Sequence, residues 1–226
     1  EGRIKGIWRR DQWVDQAREG EEVGVVLDRS PFYGEAGGQI GDQGRIETPS
    51  GQMQVLDTKW VDALLVHQAR VTQGTVSVEQ PAKSQVDHEH RLKVARSHTA
   101  AHLLHWALRQ TLGPETVQAG SFVERERVRF DFSSLKGLHE EQRAHVEQLV
   151  NDRVMASDAI RTDLMGVEEA KRHGALALFG EKYGQQVRVV SIGDGYSSEL
   201  CGGTHLRHTG SVGTFRIVGE SSIAAG

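Results

Sequence analysis

Arg96-Ser97-His98-Thr99-Ala100-Ala101-His102-Leu103-Leu104-His105 is where the character of the chain changes. Ahead of it, apolar residues alternate in short runs punctuated by Gly, Pro and Ser. Through it they recur every three or four positions. Asp87 can cap a helix, and Leu92, Ala95, His98/Thr99 and His102 follow at helical steps. The run continues through Leu104, Leu108 and Leu112 until Gly113-Pro114 stops it. On that helix His98 and His102, four apart, share a face, one turn over the other. Two imidazoles held so can bind one transition metal. His105 points nearer the apolar side and reads as a core residue or a support for its neighbours.

A second fragment answers the first about a hundred residues later: Cys201-Gly202-Gly203-Thr204-His205, with the only cysteine in the chain and a histidine at the same four-residue spacing. Each half alone has an ordinary reading. A histidine pair at i, i+4 can be helix surface, and a lone Cys behaves as a small buried hydrophobe. Together they supply one thiolate and three imidazoles, a donor set suited to zinc, and Gly202 and Gly203 allow close backbone approach. Spacing leaves open whether such a site is structural, with all four positions filled by protein, or catalytic, with one open. It is not the metalloprotease helix signature, which needs Glu directly after the first His; here that position is Thr99. A metal-bound thiolate also loses the nucleophilicity a Cys–His scheme would need.

Working outward toward the N-terminus, Glu21 to Asp28 reads as a strand with Val23, Val25 and Leu27 alternating. Residues 45–48 and 52–59 flank Pro49-Ser50-Gly51, a hairpin turn, and residues 63–71 and 75–78 flank Thr72-Gln73-Gly74, read as a second. Short strands at this spacing predict a small antiparallel barrel over residues 1–85. Gly37-Gly38-Gln39-Ile40-Gly41-Asp42-Gln43-Gly44 invites a phosphate-loop reading but lacks Gly-Lys-Ser/Thr and a following helix. It reads as a tight connection or as a surface that another domain approaches. Toward the C-terminus, residues 120–132 predict a hairpin, 138–156 an amphipathic helix, 159–164 a strand and 167–173 a short helix. Residues 186–192 and 214–218 read as further strands, and Gly193-Asp194-Gly195 as a turn. The whole is α+β: the barrel, then an α/β two-layer domain over residues 86–226.

The 226 residues, 37% hydrophobic and 26% charged, have an ordinary globular composition. No apolar run approaches a membrane span and the N-terminus has no signal-like core, so no membrane partner is expected. One cysteine fits a reducing, cytoplasmic setting. The formal charge of −4 argues against a dedicated DNA-binding domain. Any RNA contact would need a local basic track, for which Arg91, Lys93, Arg96, Arg125, Arg127 and Arg129 are candidates. His88 and His90 read as solvated.

With these pieces placed, the sequence resembles the editing region of bacterial-type alanyl-tRNA synthetases and the related free-standing AlaX-type editing proteins. The resemblance rests on residues 31–42, His98 to His105, Gln118 to Ser121, residues 129–132, residues 179–184 and Cys201 to His205. It implies hydrolysis of mischarged seryl- and glycyl-tRNA(Ala) at the acceptor end, with Zn2+ on His98, His102, Cys201 and His205. His98, His102, Gln118 and Cys201 would then serve catalysis, while Thr99, Ala101, Gln118, Ser121 and Gly203 would line the substrate pocket. It also implies that the aminoacylation core and C-terminal domain of a synthetase are absent here and would be partners. Residues 222–226 look like sequence cut inside a longer enzyme. Two positions depart from the pattern. Ser97 stands where the family often has Asn, and Ala101 where it commonly has a Thr directly before the second metal histidine. Thr99, about 200° round the helix from Ala101, does not substitute for it. Two other functions fit the same residues: a non-catalytic tRNA-docking module with a structural zinc, and a metal-dependent hydrolase of small esters.

Overall fold

The computed structural model describes residues 1–134, 136–177 and 184–222, in two compact units, Glu1–Lys93 and Val94–Gly226. Residues 179–183 of the sequence motif and 223–226 lie outside the described residues.

The first unit holds β1 (Gly2–Arg9), β2 (Gln12–Val14), β3 (Gln16–Arg18), β4 (Glu22–Leu27), β5 (Gly44–Thr48), β6 (Gly51–Val61), β7 (Leu64–Ser77) and β8 (Pro81–Val86). Six antiparallel strands run β1-β4-β7-β6-β5-β8, and β8 pairs back onto β1, closing the barrel. Closure removes the open edges that would otherwise template foreign strands. Side chains alternate accordingly. In β6, Met53 and Val55 point inward with Ile4, Ile7, Val25 and Ile46, while Gln52 and Gln54 face solvent.

The Pro49-Ser50 turn joins β5 to β6, with Thr48 opposite Gly51. Thr72-Gln73-Gly74 is not a turn. It lies inside the 14-residue β7, and the reversal between β6 and β7 falls at Asp62-Ala63, where Asp62 has φ 53°. The irregularity is at Thr72, an extra residue between the pairs Gln52–Gln73 and Met53–Val71, and Gly74 (φ 70°) lies opposite Gly51, where a Cβ would meet Ser50 O at 2.2 Å. A polar pair followed by Gly signals a turn or a bulge equally well, and only the partner strand decides. The strands β1 to β3 and β8, absent from the sequence reading, complete the sheet; Pro81, expected to end the barrel, instead opens β8.

The glycine-rich loop between β4 and β5 is tied down by polar contacts. The Asp42 carboxylate is buried, accepts the Tyr33 N–H at 2.6 Å and pairs with the Arg91 guanidinium. Thr58 O would lie 2.0 Å from a Cβ at Gly41, so only glycine passes there. Asp87 caps α1 (His88–Leu112), its Oδ1 accepting the Glu89 and His90 N–H groups. His90 is buried with its Nε2 3.1 Å from Gly41 O, so the expectation of a solvated side chain fails there. One turn of helix brings it under the loop, a placement that sequence spacing does not encode.

Helix α1 continues into the second unit. There follow the hairpin β9 (Gln118–Glu124) and β10 (Arg127–Phe132), α2 (Glu140–Ala156), β11 (Ile160–Gly166), α3 (Val167–Arg172), β12 (Gln186–Ile192) and β13 (Ser197–Leu200). The last three strands form an antiparallel sheet in the order β11-β12-β13. Leu103, Ala107 and Leu108 of α1 pack on Val146, Val150 and Val154 of α2, a stripe spaced by four, and on Ile192. The expected strand at residues 214–218 does not form. Its alternation is real, since Phe215 and Ile217 face the core, but its backbone is met by α2 side chains. Phe215 N–H donates to Asn151 Oδ1 at 2.9 Å and Ile217 N–H to Glu147 Oε1 at 2.6 Å. Period-two burial thus appears without a ladder, because the neighbouring element is a helix.

One buried histidine in the barrel carries a pH signature. His67 is 0% exposed, its Nδ1 2.8 Å from Val25 O and its Nε2 2.7 Å from Ser30 Oγ. This is the pattern of a neutral ring donating from Nδ1 and accepting at Nε2. Burial pulls its pKa below 6.5, and the Val25 carbonyl only partly offsets this. The unfolded chain therefore binds the extra proton, so barrel stability is unaffected above about pH 6.5 and falls as pH drops from there toward the folded value. NMR titration of the His67 ring will give a midpoint below the ordinary imidazole value. His67→Gln will flatten the decline in thermal stability between about pH 7 and about pH 5; an unchanged decline would contradict this assignment.

Candidate metal centre

Two elements deliver the four donors. Helix α1 presents His98 and His102 on one face, their ring centroids 5.3 Å apart and their planes 26° from parallel. The loop after β13 brings Cys201 and His205 against them. Cys201 Sγ lies 3.4 Å from His98 Nε2 and 3.3 Å from His205 Nε2. One ligand atom from each of the four residues falls within 4.8 Å of the others, the one such grouping found among the described residues. A tetrahedral zinc with bonds of about 2.3 Å to sulfur and about 2.0–2.1 Å to nitrogen spans S···N edges of roughly 3.6 Å. The spacing and the mixed S/N donor set fit such an ion.

The loop is held from below by Arg188 on β12. Its Nη1 donates to the carbonyls of Cys201 (2.9 Å) and Gly203 (2.6 Å), while Cys201 N–H returns a bond to Arg188 O at 2.9 Å. A planar guanidinium can hold two carbonyls in a fixed relation. From above, Thr99 Oγ1 accepts the Leu206 N–H at 3.2 Å and lies 3.4 Å from His205 Nδ1. Glu199 approaches His102 Nδ1 at 3.0 Å, although not along the N–H direction, and His105 Nδ1 at 3.0 Å. His105 Nε2 faces Thr116 O at 3.4 Å.

The electrostatics follow from crowding donors in a dry place. Burial raises the Cys201 thiol, but His98 and the neighbouring imidazoles outweigh it and hold the pKa well below the usual thiol value. Burial, reinforced by the charge of His98, pushes His205 down, toward a neutral ring. His102 is driven up: burial opposes its charge, and Glu199 with Cys201 overcomes that. Glu199 is held below the usual carboxylate range by His102 and His105 against the opposing effect of burial. Thiolate and neutral imidazole are the forms a transition metal takes.

The remaining candidates from the sequence fall as follows. Thr99 is 0% exposed and its hydroxyl is engaged within the chain. Ala101 is buried in α1. Gln118 and Ser121 sit together on β9, Gln118 Nε2 donating to Ser121 Oγ at 3.1 Å, both half-buried. Gly203 is buried against Arg188. The basic residues are largely compensated: Arg91 by Asp42, Lys93 by Glu89, Arg127 by Glu124 and Arg129 by Asp131. Sequence reasoning missed Glu199 and Arg188. Glu199 stands two positions before the cysteine, a spacing that turns the two side chains the same way along an extended backbone, and that was the available signal. Arg188 carries none, since only the β12–β13 pairing brings it to the loop.

Comparison with known proteins bears on the same region. Residues 1–90 match the family described as tRNA synthetases class II (A), and residues 187–226 that described as threonyl and alanyl tRNA synthetase second additional domain. The chain is 46% identical over 236 residues to an alanine–tRNA ligase of Chelativorans sp. and 47% identical over 225 residues to one of Acetivibrio thermocellus. The alignments cover 100% and 99% of this chain but only 27% and 26% of those proteins. An alanine–tRNA ligase of Clostridioides difficile is 46% identical over 227 residues.

The position of Thr99 yields a test. Thr99→Val keeps the shape but orphans the buried Leu206 N–H and frees His205. It will lower stability by about 1–3 kcal/mol in chelator, read by denaturant unfolding. An effect within error would mean that the hydroxyl does not support the loop.

Proposed function

Because the chain belongs to the alanine–tRNA ligase family, with the second additional domain within its span, we propose that it hydrolyses mischarged tRNA(Ala). Its substrates are seryl- and glycyl-tRNA(Ala), its metal is zinc, and its partners are the acceptor end of the tRNA and the rest of the synthetase, in the cytoplasm. The observation that carries this reading is the convergence of His98, His102, Cys201 and His205, from segments about a hundred residues apart, into one S/N donor set. Among the described residues no helix is long and apolar enough to cross a membrane.

When bound, zinc supplies Lewis acidity at an ester carbonyl or at a water. The protein supplies the rest. His98 and His102 fix one side of the centre and the Cys201 loop the other. Gln118 and Ser121, a carboxamide and a hydroxyl bonded to each other on β9, together with the metal are the candidates to meet the substrate serine hydroxyl. Ala101 has no hydroxyl, and that of Thr99 is already engaged. A pocket that hydrogen-bonds a hydroxyl rejects an analogue lacking it far more strongly than an apolar slot can. The alternative, a tRNA-docking module with structural zinc, draws on one specific observation: four protein donors are enough to fill a zinc shell.

The two part on a deacylation assay with seryl-tRNA(Ala). The zinc-loaded protein will release serine, and Cys201→Ala or a chelated sample will lose roughly 100-fold or more, as follows from removing several kcal/mol of stabilisation. Protein that holds zinc yet leaves the ester intact is the docking module. Turnover of a seryl ester without tRNA would instead mark a hydrolase of small esters.

A further inference from the structure

The buried carboxylate beside the four donors is unexplained by the donor set itself. Glu199 is 3% exposed. Its backbone is locked into β13 opposite Val190 and bridges to Leu176, so it has little freedom to swing out to solvent. Burying a carboxylate costs several kcal/mol unless it is well paired. Among the described residues its ion-pair partners are two imidazoles, His102 Nδ1 and His105 Nδ1, each at 3.0 Å, and neither an Arg nor a Lys. A purely structural carboxylate in this position would be better served by a permanent cation.

Two consequences of this geometry point the same way. A neutral imidazole carries one N–H; an acceptor at Nδ1 draws it there and leaves the Nε2 lone pair free for a metal. Glu199 Oε2 stands 3.0 Å from His102 Nδ1, close to it but off the N–H direction, so a small turn of the ring on metal binding makes that bond, while His105, braced on Thr116 O, holds the other carboxylate oxygen. The second consequence is charge. A divalent ion on one thiolate and three neutral imidazoles leaves a net charge of about +1 in a site whose ligands are largely buried, and one further carboxylate brings the sum to about zero. A monovalent ion would be neutral on the ligands alone and overcompensated by Glu199.

We propose that Glu199 is the positioning residue of the metal centre: it orients His102 with Nε2 toward the metal and supplies the charge that favours a divalent over a monovalent ion. The inference rests on the metal reading of the preceding section. It is tested on the full chain by chelator competition, comparing zinc with copper(I), in wild type, Glu199→Gln and Glu199→Asp. Glu199→Gln keeps the shape and removes the charge; it will weaken zinc about 10–100-fold and copper(I) much less, so that the zinc-to-copper(I) ratio falls. Glu199→Asp will restore part of that ratio. In the cobalt-substituted protein the visible spectrum will shift in Glu199→Gln, reporting a reoriented ligand. Circular dichroism and thermal unfolding of the metal-free variants check the fold. Should Glu199→Gln fail to fold, His105→Gln, which removes only the brace, will show the same change of ratio on a smaller scale. Equal loss of both ions, or unchanged zinc affinity in a folded variant, would overturn the proposal. Wild type that binds no zinc would overturn the metal reading and this inference with it.

Discussion

Five ionisable side chains, His98, His102, Glu199, Cys201 and His205, are gathered at one place that is largely closed to water, and the second unit is arranged so that none of them stands alone. A buried polar group without a partner costs free energy comparable to a lost hydrogen bond, and an unpaired charge costs more. The supports follow from that constraint. Glu199 faces His102, Thr99 faces His205, and Arg188 holds the carbonyls on either side of Gly202. Each support comes from a regular element, α1, β13 or β12, because a strand or helix fixes a side-chain origin more tightly than a loop does.

The cluster's own electrostatics set its donors apart from one another. Cys201 is held toward thiolate and His205 toward the neutral ring, while His102 and Glu199 form a mutually stabilised pair. These shifts arise from geometry before any ion is considered. Cys201 and His205 are thus held in the forms a soft-to-borderline metal uses, while His102, held protonated beside Glu199, gives up its proton when a metal binds.

The supporting architecture differs in kind between the units. In the first, closure of six strands satisfies the backbone, and an ion pair from the buried Asp42 to the half-buried Arg91 ties the glycine-rich loop to the capped start of α1. In the second, the core is a helix pair against a small sheet, and the N–H groups of Phe215 and Ile217 bond side chains of α2 rather than a neighbouring strand. Both solutions meet the same requirement, that buried N–H and C=O groups find partners.

Sequence alone determined which four side chains, His98, His102, Cys201 and His205, come together, the extent of α1 and α2, the β5–β6 hairpin and the family resemblance. These depend on local periodicity, on turn residues and on residue types whose chemistry is distinctive wherever they sit. It misplaced the turn at Thr72–Gly74, the strand at residues 214–218 and the exposure of His90, and it passed over β1 to β3 and β8. Those outcomes depend on which distant segment lies alongside, and a local pattern is silent on that. The tertiary structure alone decided the roles around the donors. Thr99 turned inward to the ligand loop, Arg188 became its clasp, and Glu199, an unremarked acid in a short strand, became the partner of two histidines. A carboxylate's role is set by what it is buried against, and burial is a property of the folded chain.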